Sequence, residues 1–291
     1  MQFRPSRIDA STRLCCLIGR PVKHSLSPLM HNTAFEELGL NYTYLAFEVE
    51  ESSLEEAVKG LKSLGVCGFN VTIPHKIGIV EYLDEMDKSA ADVGAVNTVV
   101  NRNGRLIGYN TDVQGVVFAL ERAGLTSPRG LSVIIGAGGA ARAVVAALAA
   151  MGCREIVILN RTEERGVALA HETEKRYGIR CRVLRLTRRN LEVNLGGNLI
   201  VNATSLGMHP DIDQSPIPKE LIPEGTAVFD VVYTPLKTKL LREAEERGAK
   251  TIPGIEMLIG QGASSFRLWT GKEFPVEKVR KLLIASLGGE S

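Results

Sequence analysis

The sequence predicts an α/β protein: a doubly wound, mostly parallel sheet in one domain and a second α/β domain. Three observations predict it. The β-branched run Val133-Ile134-Ile135 feeds a Gly136-Ala137-Gly138-Gly139-Ala140-Ala141 loop, and the loop feeds an alanine-rich helical stretch. Short apolar runs alternate with helix-period stretches both before and after that loop, which is the pattern of repeated βα units. At about 150 residues per domain, 291 residues allow two cores.

In chain order, Arg13 to Gly19 reads as an apolar strand, and the loop Arg20 to Pro28 ends at Ser27, an N-cap with Pro28 following, for a helix to about Leu38. Tyr42 to Val49 is extended. Ser52 or Ser53 caps a helix through Leu64, and Gly68 to Ile73 is a strand before Pro74. Ala95 to Asp112 reads as a hairpin hinged on Asn103-Gly104, a pair suited to a type I′ turn. Asp112 opens a helix to Ala123-Gly124, and Thr126 to Gly130 links it to the glycine-rich unit. There follow a helix to Met151 with Gly152 behind it, strand Glu155 to Leu159, helix Glu163 to Tyr177 and strand Cys181 to Leu186. Strands Leu199 to Ala203 and Ala227 to Val232, helix Lys237 to Gly248 and strand Lys250 to Ile252 complete the alternation. Ile255 to Trp269 and Pro275 to Leu287 read as helices that fold back on the first domain.

The glycine loop points to a dinucleotide. Gly136 can take a positive φ, Gly138 lets backbone amides approach a pyrophosphate, and Ala141 is small enough for close helix–strand packing. Phosphates then meet the uncapped N–H groups at a helix N-terminus. At the end of the next strand an NAD reader needs a carboxylate for the ribose, but the chain has Asn160-Arg161-Thr162, with Arg165 one turn on. Two guanidinium groups favour a 2′-phosphate, hence NADP.

Composition narrows the partners. Lys and Arg exceed Asp and Glu by 35 to 33, and hydrophobic residues make up 44%, which argues for neither a nucleic-acid nor a membrane surface. The seven basic residues from Lys175 to Arg189 lack interleaved aromatics and read as protection of an outer strand. Met1 to Arg13 carries no hydrophobic signal core and is expected to fray. Five cysteines without a Cys-x-x-Cys pair suggest reduced, buried thiols in a cytoplasmic protein, and the five scattered histidines suggest no metal.

Four polar clusters lie at loop or strand ends: Ser25/Ser27, Asn70 to Lys76, Asn97-Thr98 and Asn110-Thr111-Asp112. Singly, each can be a cap, a turn or a solvated side chain. Together they offer hydroxyls and amides for a polyhydroxylated ligand, plus one cation and one carboxylate, which suits alcohol–ketone chemistry with Lys76 as proton donor.

Along essentially its whole length the chain resembles the shikimate dehydrogenase family, in the shikimate/quinate dehydrogenase group. The motifs are Ser25-Leu26-Ser27-Pro28, Asn70 to Lys76, Gly94 to Thr98, Gly108 to Asp112, Gly136 to Ala141, Asn160 to Thr162, Asn202 to Met208, Asp230 to Pro235 and Gly254 to Ala263. The resemblance implies a Rossmann-type NADP domain over 113–254 and a substrate-binding domain over 1–112, completed by the C-terminal helices of 255–291. It implies reversible reduction of 3-dehydroshikimate to shikimate with NADPH, in the route to aromatic amino acids.

It further implies Lys76 and Asp112 as the catalytic pair. Ser25 and Ser27, with Tyr233, would take the substrate carboxylate, and Asn70, Thr72, Asn97 and Gln261 the ring hydroxyls. Cofactor contacts fall on Gly136, Ala137, Gly138, Gly139, Ala140 and Ala141, on Asn160, Arg161, Thr162 and Arg165, on Thr204, Ser205 and Met208, and on Val231, Gly254 and Met257. A dual quinate/shikimate enzyme and a non-catalytic NADP-binding regulatory module are the rival readings; the presence of both Lys76 and Asp112 speaks against the second. Monomer and homodimer are equally compatible with the sequence.

Overall fold

The computed structural model describes residues 8–128 and 130–288. Residues 1–7, most of the segment expected to fray, lie outside the described residues. Packing divides the chain into two units, one running to Thr111 and resuming at Gln261, the other Asp112–Gly260.

The first unit contains β1 (Arg13–Gly19), α1 (Ser27–Glu37), β2 (Tyr42–Glu48), α2 (Leu54–Ser63), β3 (Gly68–Val71), β4 (Glu85–Met86), α3 (Lys88–Val93), β5 (Thr98–Arg102) and β6 (Arg105–Tyr109). Its sheet runs β2-β1-β3-β5-β6-β4. β1 pairs in parallel with β2 and β3, whereas β5 is antiparallel to β3 and β6. The turn between β5 and β6 has positive φ at both Asn103 (54°) and Gly104 (86°), as a type I′ turn requires. One face of the sheet buries Cys16, Ile18, Phe69, Val71 and Val99 against Val58 and Leu61 of α2.

The second unit opens with α4 (Asp112–Arg122) and continues through β7 (Leu131–Ile135), α5 (Gly139–Ala150), β8 (Glu155–Asn160), α6 (Glu163–Tyr177) and β9 (Arg180–Arg185). It goes on through α7 (Arg188–Asn194), β10 (Leu199–Asn202), β11 (Ala227–Asp230), α8 (Lys239–Glu246) and β12 (Lys250–Ile252). All the pairings of its β12-β11-β10-β7-β8-β9 sheet are parallel. The strand order reverses between β7 and β10, so the crevice at their C-terminal ends is the ligand position of an open α/β sheet. Alternate residues serve opposite layers. Ile134, Ile156, Ile158 and Val201 pack with Leu120, Ala141, Val144 and Leu148, while Val133, Ile135, Val157 and Ile200 pack with Leu191, Leu240 and Leu241. Burial on both faces explains why these strands read as unbroken apolar runs.

The division between units falls inside α9 (Gly254–Thr270), after Gly260; α10 (Val276–Ser286) belongs with the first unit. Within that unit the second half of α9 covers the other sheet face. Trp269 Nε1 donates to the Val99 carbonyl at 3.0 Å, His31 and Tyr44 lie tilted against the indole, and Phe35, Phe266 and Phe274 extend the aromatic cluster from His31. A Cβ on Gly68 would fall 2.3 Å from Trp269 Nε1, so this glycine is needed for the contact.

Several expectations need correction. Ser27 is the first helical residue of α1 rather than its cap; the cap position is Leu26, and Ser25 Oγ accepts from the Ser27 amide at 3.2 Å instead. α3 and α7 are additional helices, each capped by a side chain: Asp87 accepts from Ser89 N, and Thr187 from Asn190 N. At six and seven residues they are too short to display a helical period. Cys15, Cys16, Cys67 and Cys153 are buried free thiols, but Cys181 is only half-buried because β9 is an edge strand.

Candidate active site

In the first unit the C-terminal ends of β1 and β3 gather the polar residues. Asn70, on β3, has every polar atom engaged. Its Oδ1 accepts from Tyr44 OH at 2.7 Å, and its Nδ2 faces Asn97 O, Thr98 Oγ1 and Ser265 Oγ at 3.0–3.1 Å. Burial pushes the Tyr44 phenol well above its usual range, with the Cys16 and Cys15 thiols adding to the effect and the Ser27 hydroxyl opposing it. Tyr44 is therefore a fixed neutral donor, and it sets which end of the Asn70 amide points inward.

Asn97 is held just as firmly. Its Oδ1 accepts from Thr111 N at 2.7 Å and from Thr98 Oγ1 at 3.0 Å, and its Nδ2 donates to Thr111 Oγ1 at 3.0 Å. Ser265 Oγ closes the network, lying 2.9 Å from Thr98 Oγ1 and 3.1 Å from Thr111 Oγ1, and donating to the Gln261 carbonyl at 3.0 Å. The network thus brings together Asn70, Asn97 and Gln261, with Ser27 through Tyr44. Tyr44 and Ser265 were missed in sequence because a tyrosine in a strand and a serine in an apolar helix carry no local signal of their purpose.

Thr72 follows β3 directly, its amide donating to Ile18 O at 3.0 Å. A Cβ on Gly19 would lie 2.3 Å from Thr72 Cγ2, so Gly19 makes room for it beside the Ser25 loop. Half-buried Lys76 is anchored through its backbone, with Val96 N donating to its carbonyl at 2.8 Å next to Asn97. His75 beside it is buried, with Nε2 2.8 Å from Val49 O, so it fixes the turn that presents Lys76. Asp112, the other member of the candidate catalytic pair, is the buried first residue of α4 and counts with the second unit, as does half-buried Tyr233.

In the second unit the glycine loop joins β7 to α5 at the reversal of strand order. Gly136 has φ +112°, and a Cβ there would come within 3.0 Å of the Ala203 carbonyl that follows β10. Gly138 and Gly139 are exposed, and a Cβ on either would meet nothing within 4 Å. Gly138 caps the twelve-residue α5 with no side-chain bond, and no acidic residue sits in its first turn. An uncapped N-terminus opening on free space suits a pyrophosphate. Ala137 and Ala140 are half-buried, and Ala141 is wholly buried in the core below.

At the end of β8, Asn160 Nδ2 donates to Thr162 O at 2.6 Å, shaping the turn into α6. Arg161, Thr162 and Arg165 are exposed there. Beyond β10, Asn202 Oδ1 accepts from Thr204 N at 3.1 Å and Thr204 Oγ1 at 2.7 Å, holding Thr204 half-buried while Ser205 and Met208 remain exposed. Gly254 lies where a Cβ would come within 2.5 Å of both the Val231 and Val232 carbonyls, and Met257 is buried in the core. Among the described residues, no group of three or more His, Cys, Asp or Glu could hold a metal ion. No described helix is long and apolar enough to cross a membrane.

Family models match three stretches of the chain: a shikimate dehydrogenase substrate binding domain over residues 17–99, a shikimate / quinate 5-dehydrogenase over 127–204, and a shikimate 5'-dehydrogenase C-terminal domain over 254–284. The shikimate dehydrogenase (NADP(+)) of Methanopyrus kandleri is 48% identical over 96% of this chain and 98% of its own. The chain belongs to the shikimate dehydrogenase family. Among solved structures, a shikimate dehydrogenase in complex with NADP+ superposes with a TM-score of 0.91 at 45% identity, over 97% of this chain and 98% of that one. A shikimate dehydrogenase from Thermus thermophilus in complex with NADP(H) and shikimate gives 0.85 at 39% identity, over 94% and 100%. The family carries a Rossmann-type domain, and the second unit's strand order is that of the Rossmann fold.

Proposed function

We infer that the protein is an NADP-dependent shikimate dehydrogenase, reversibly reducing 3-dehydroshikimate to shikimate in aromatic amino acid biosynthesis. The observation that carries this reading is near-full-length identity, at 48%, to an enzyme of that activity. The uncapped N-terminus of α5, open at Gly138 and Gly139, accords with it.

Substrate binding falls to residues 1–112 with 255–291, and NADP binding to 113–254. Ser25 and Ser27, with Tyr233, hold the substrate carboxylate through hydroxyl donors. Asn70, Thr72, Asn97 and Gln261 form the polar wall that orients the ring hydroxyls, the Asn70 amide held in one orientation by its Tyr44 and Ser265 bonds. Gly136 to Ala141 cradle the pyrophosphate. Arg161 and Arg165 pair with the 2′-phosphate, flanked by Asn160 and Thr162. Thr204, Ser205, Met208, Val231, Gly254 and Met257 line the nicotinamide end.

Bound NADPH supplies the hydride for the ketone carbon. As the carbonyl oxygen gains negative charge, the Lys76 ammonium donates a proton to it, giving the alcohol; in the reverse direction the neutral amine takes that proton back. Asp112 provides the carboxylate of the catalytic pair. A cytoplasmic location goes with this reading, in keeping with five cysteines that are all free thiols. Initial rates of NADP+ reduction with shikimate, quinate and no acid test the assignment. Turnover with shikimate well above quinate is expected; equal rates favour the dual-specificity enzyme, and no rate with either overturns the reading.

A further inference from the structure

We propose that Asp230 is a positioning residue for the nicotinamide end of the cofactor, because its single carboxylate ties together the two segments assigned to that end. The proposal rests on the NADP reading.

Asp230 closes β11 and is wholly buried, so it acts through its neighbours rather than on a ligand. Its Oδ1 accepts two bonds. One comes from Asn202 Nδ2 at 2.9 Å, and the other from the Val232 amide at 3.0 Å. Asn202 in turn receives Thr204 N and Thr204 Oγ1 on its Oδ1 and donates to Leu206 O at 3.2 Å, so the first bond fixes the turn that carries Thr204, Ser205 and Met208. The second bond fixes the Val231–Tyr233 segment, whose Val231 and Val232 carbonyls close over Gly254. Oδ2 plays a different part. It accepts from Thr238 Oγ1 at 2.7 Å, and Thr238 caps α8 by accepting from Leu241 N.

A buried carboxylate is a costly way to hold one helix cap. It is well suited to fixing two adjacent loops with one atom, since Oδ1 accepts on both of its lone pairs while Oδ2 remains for Thr238. Burial raises the Asp230 carboxyl to about 6, against the pull of its Thr238, Val232 and Asn202 bonds.

The two oxygens allow the positioning role to be separated from the structural one. Asp230→Ala removes every bond. Asp230→Asn keeps an Oδ1 acceptor for Asn202 and Val232 and gives up only the Thr238 bond. Thr238→Ala removes the α8 tie alone. Calorimetric titration of each variant with NADP+ and with 2′-phospho-ADP-ribose, which lacks the nicotinamide, reads the two ends of the site separately.

Asp230→Ala is expected to bind NADP+ about tenfold more weakly and the fragment within about twofold of the parent. Asp230→Asn and Thr238→Ala are expected to keep both affinities within about twofold, with Thr238→Ala lowering the melting temperature. Unchanged NADP+ affinity in Asp230→Ala, or equal loss of both ligands, overturns the proposal. If Asp230→Ala does not fold, Asn202→Ala carries the same selective expectation. A parent protein that binds neither nucleotide sinks the NADP reading itself; one that binds both, with variants that do not discriminate, sinks only the role of Asp230.

Discussion

Asn70 Nδ2 donates to Ser265 Oγ at 3.1 Å, joining β3 to a helix residue 195 positions further along the chain. Because Ser265 also meets Thr98, Thr111 and the Gln261 carbonyl, one hydroxyl completes the polar wall around Asn70 and Asn97. Ser265→Ala therefore takes one buried hydrogen-bond partner each from Asn70, Thr98, Thr111 and the Gln261 carbonyl. We expect a loss of about 1–3 kcal/mol in urea unfolding and a raised KM for shikimate, with the KM for NADP+ unchanged. An unaltered unfolding midpoint contradicts this account of the network.

Gly136 and Gly138 separate the two purposes of a glycine loop. Gly136→Ala places a side chain at φ +112° and within 3.0 Å of the Ala203 carbonyl, and is expected to cost about 1–3 kcal/mol of stability. Gly138→Ala meets open space at an ordinary φ of −91°, so stability should hold while NADP+ binding weakens. Thermal melts with and without NADP+ distinguish the two, and equal melting temperatures for both apo variants contradict the assignment.

Arg161 and Arg165 are exposed at the entry to α6, and the residue that ends β8 is Asn160 rather than a carboxylate. Arg161→Ala should raise the KM for NADP+ about tenfold or more and leave that for NAD+ nearly unchanged. A parallel rise in both indicates that the guanidinium does not read the 2′-phosphate.

The βαβ core around the glycine loop was legible in the sequence because its strands are buried on both faces and its turns require glycine. So were the Asn103-Gly104 hairpin and the helical character of Ile255 to Trp269. α3 and α7 were not, because a single turn or two capped by Asp87 or Thr187 looks like loop composition. The polar residues assigned to the substrate stood out among apolar ones. Those that brace them did not: Tyr44, Ser265 and Asp230 each acquire their meaning from partners distant in sequence or on another strand.

His31 lies wholly buried among Tyr44, Phe35, Phe266 and Trp269, with both ring nitrogens lacking a hydrogen-bond partner. Burial lowers its pKa from 6.5 to about 3. The unfolded chain then binds this proton more readily than the folded one, so the neutral ring's contribution is fully present above pH 6.5 and is lost as pH falls toward 3, by about 1.4 kcal/mol per pH unit. His31→Phe should flatten the acid limb of a stability–pH profile by that slope; an unchanged limb contradicts the assignment.

The central claim is that the Lys76 ammonium protonates the developing alkoxide, and single-turnover reduction of 3-dehydroshikimate by NADPH in Lys76→Ala tests it most directly. The account predicts a rate at least ~10²-fold below the parent, with NADP+ affinity and melting temperature preserved. A Lys76→Ala protein that turns over within a few-fold of the parent contradicts it.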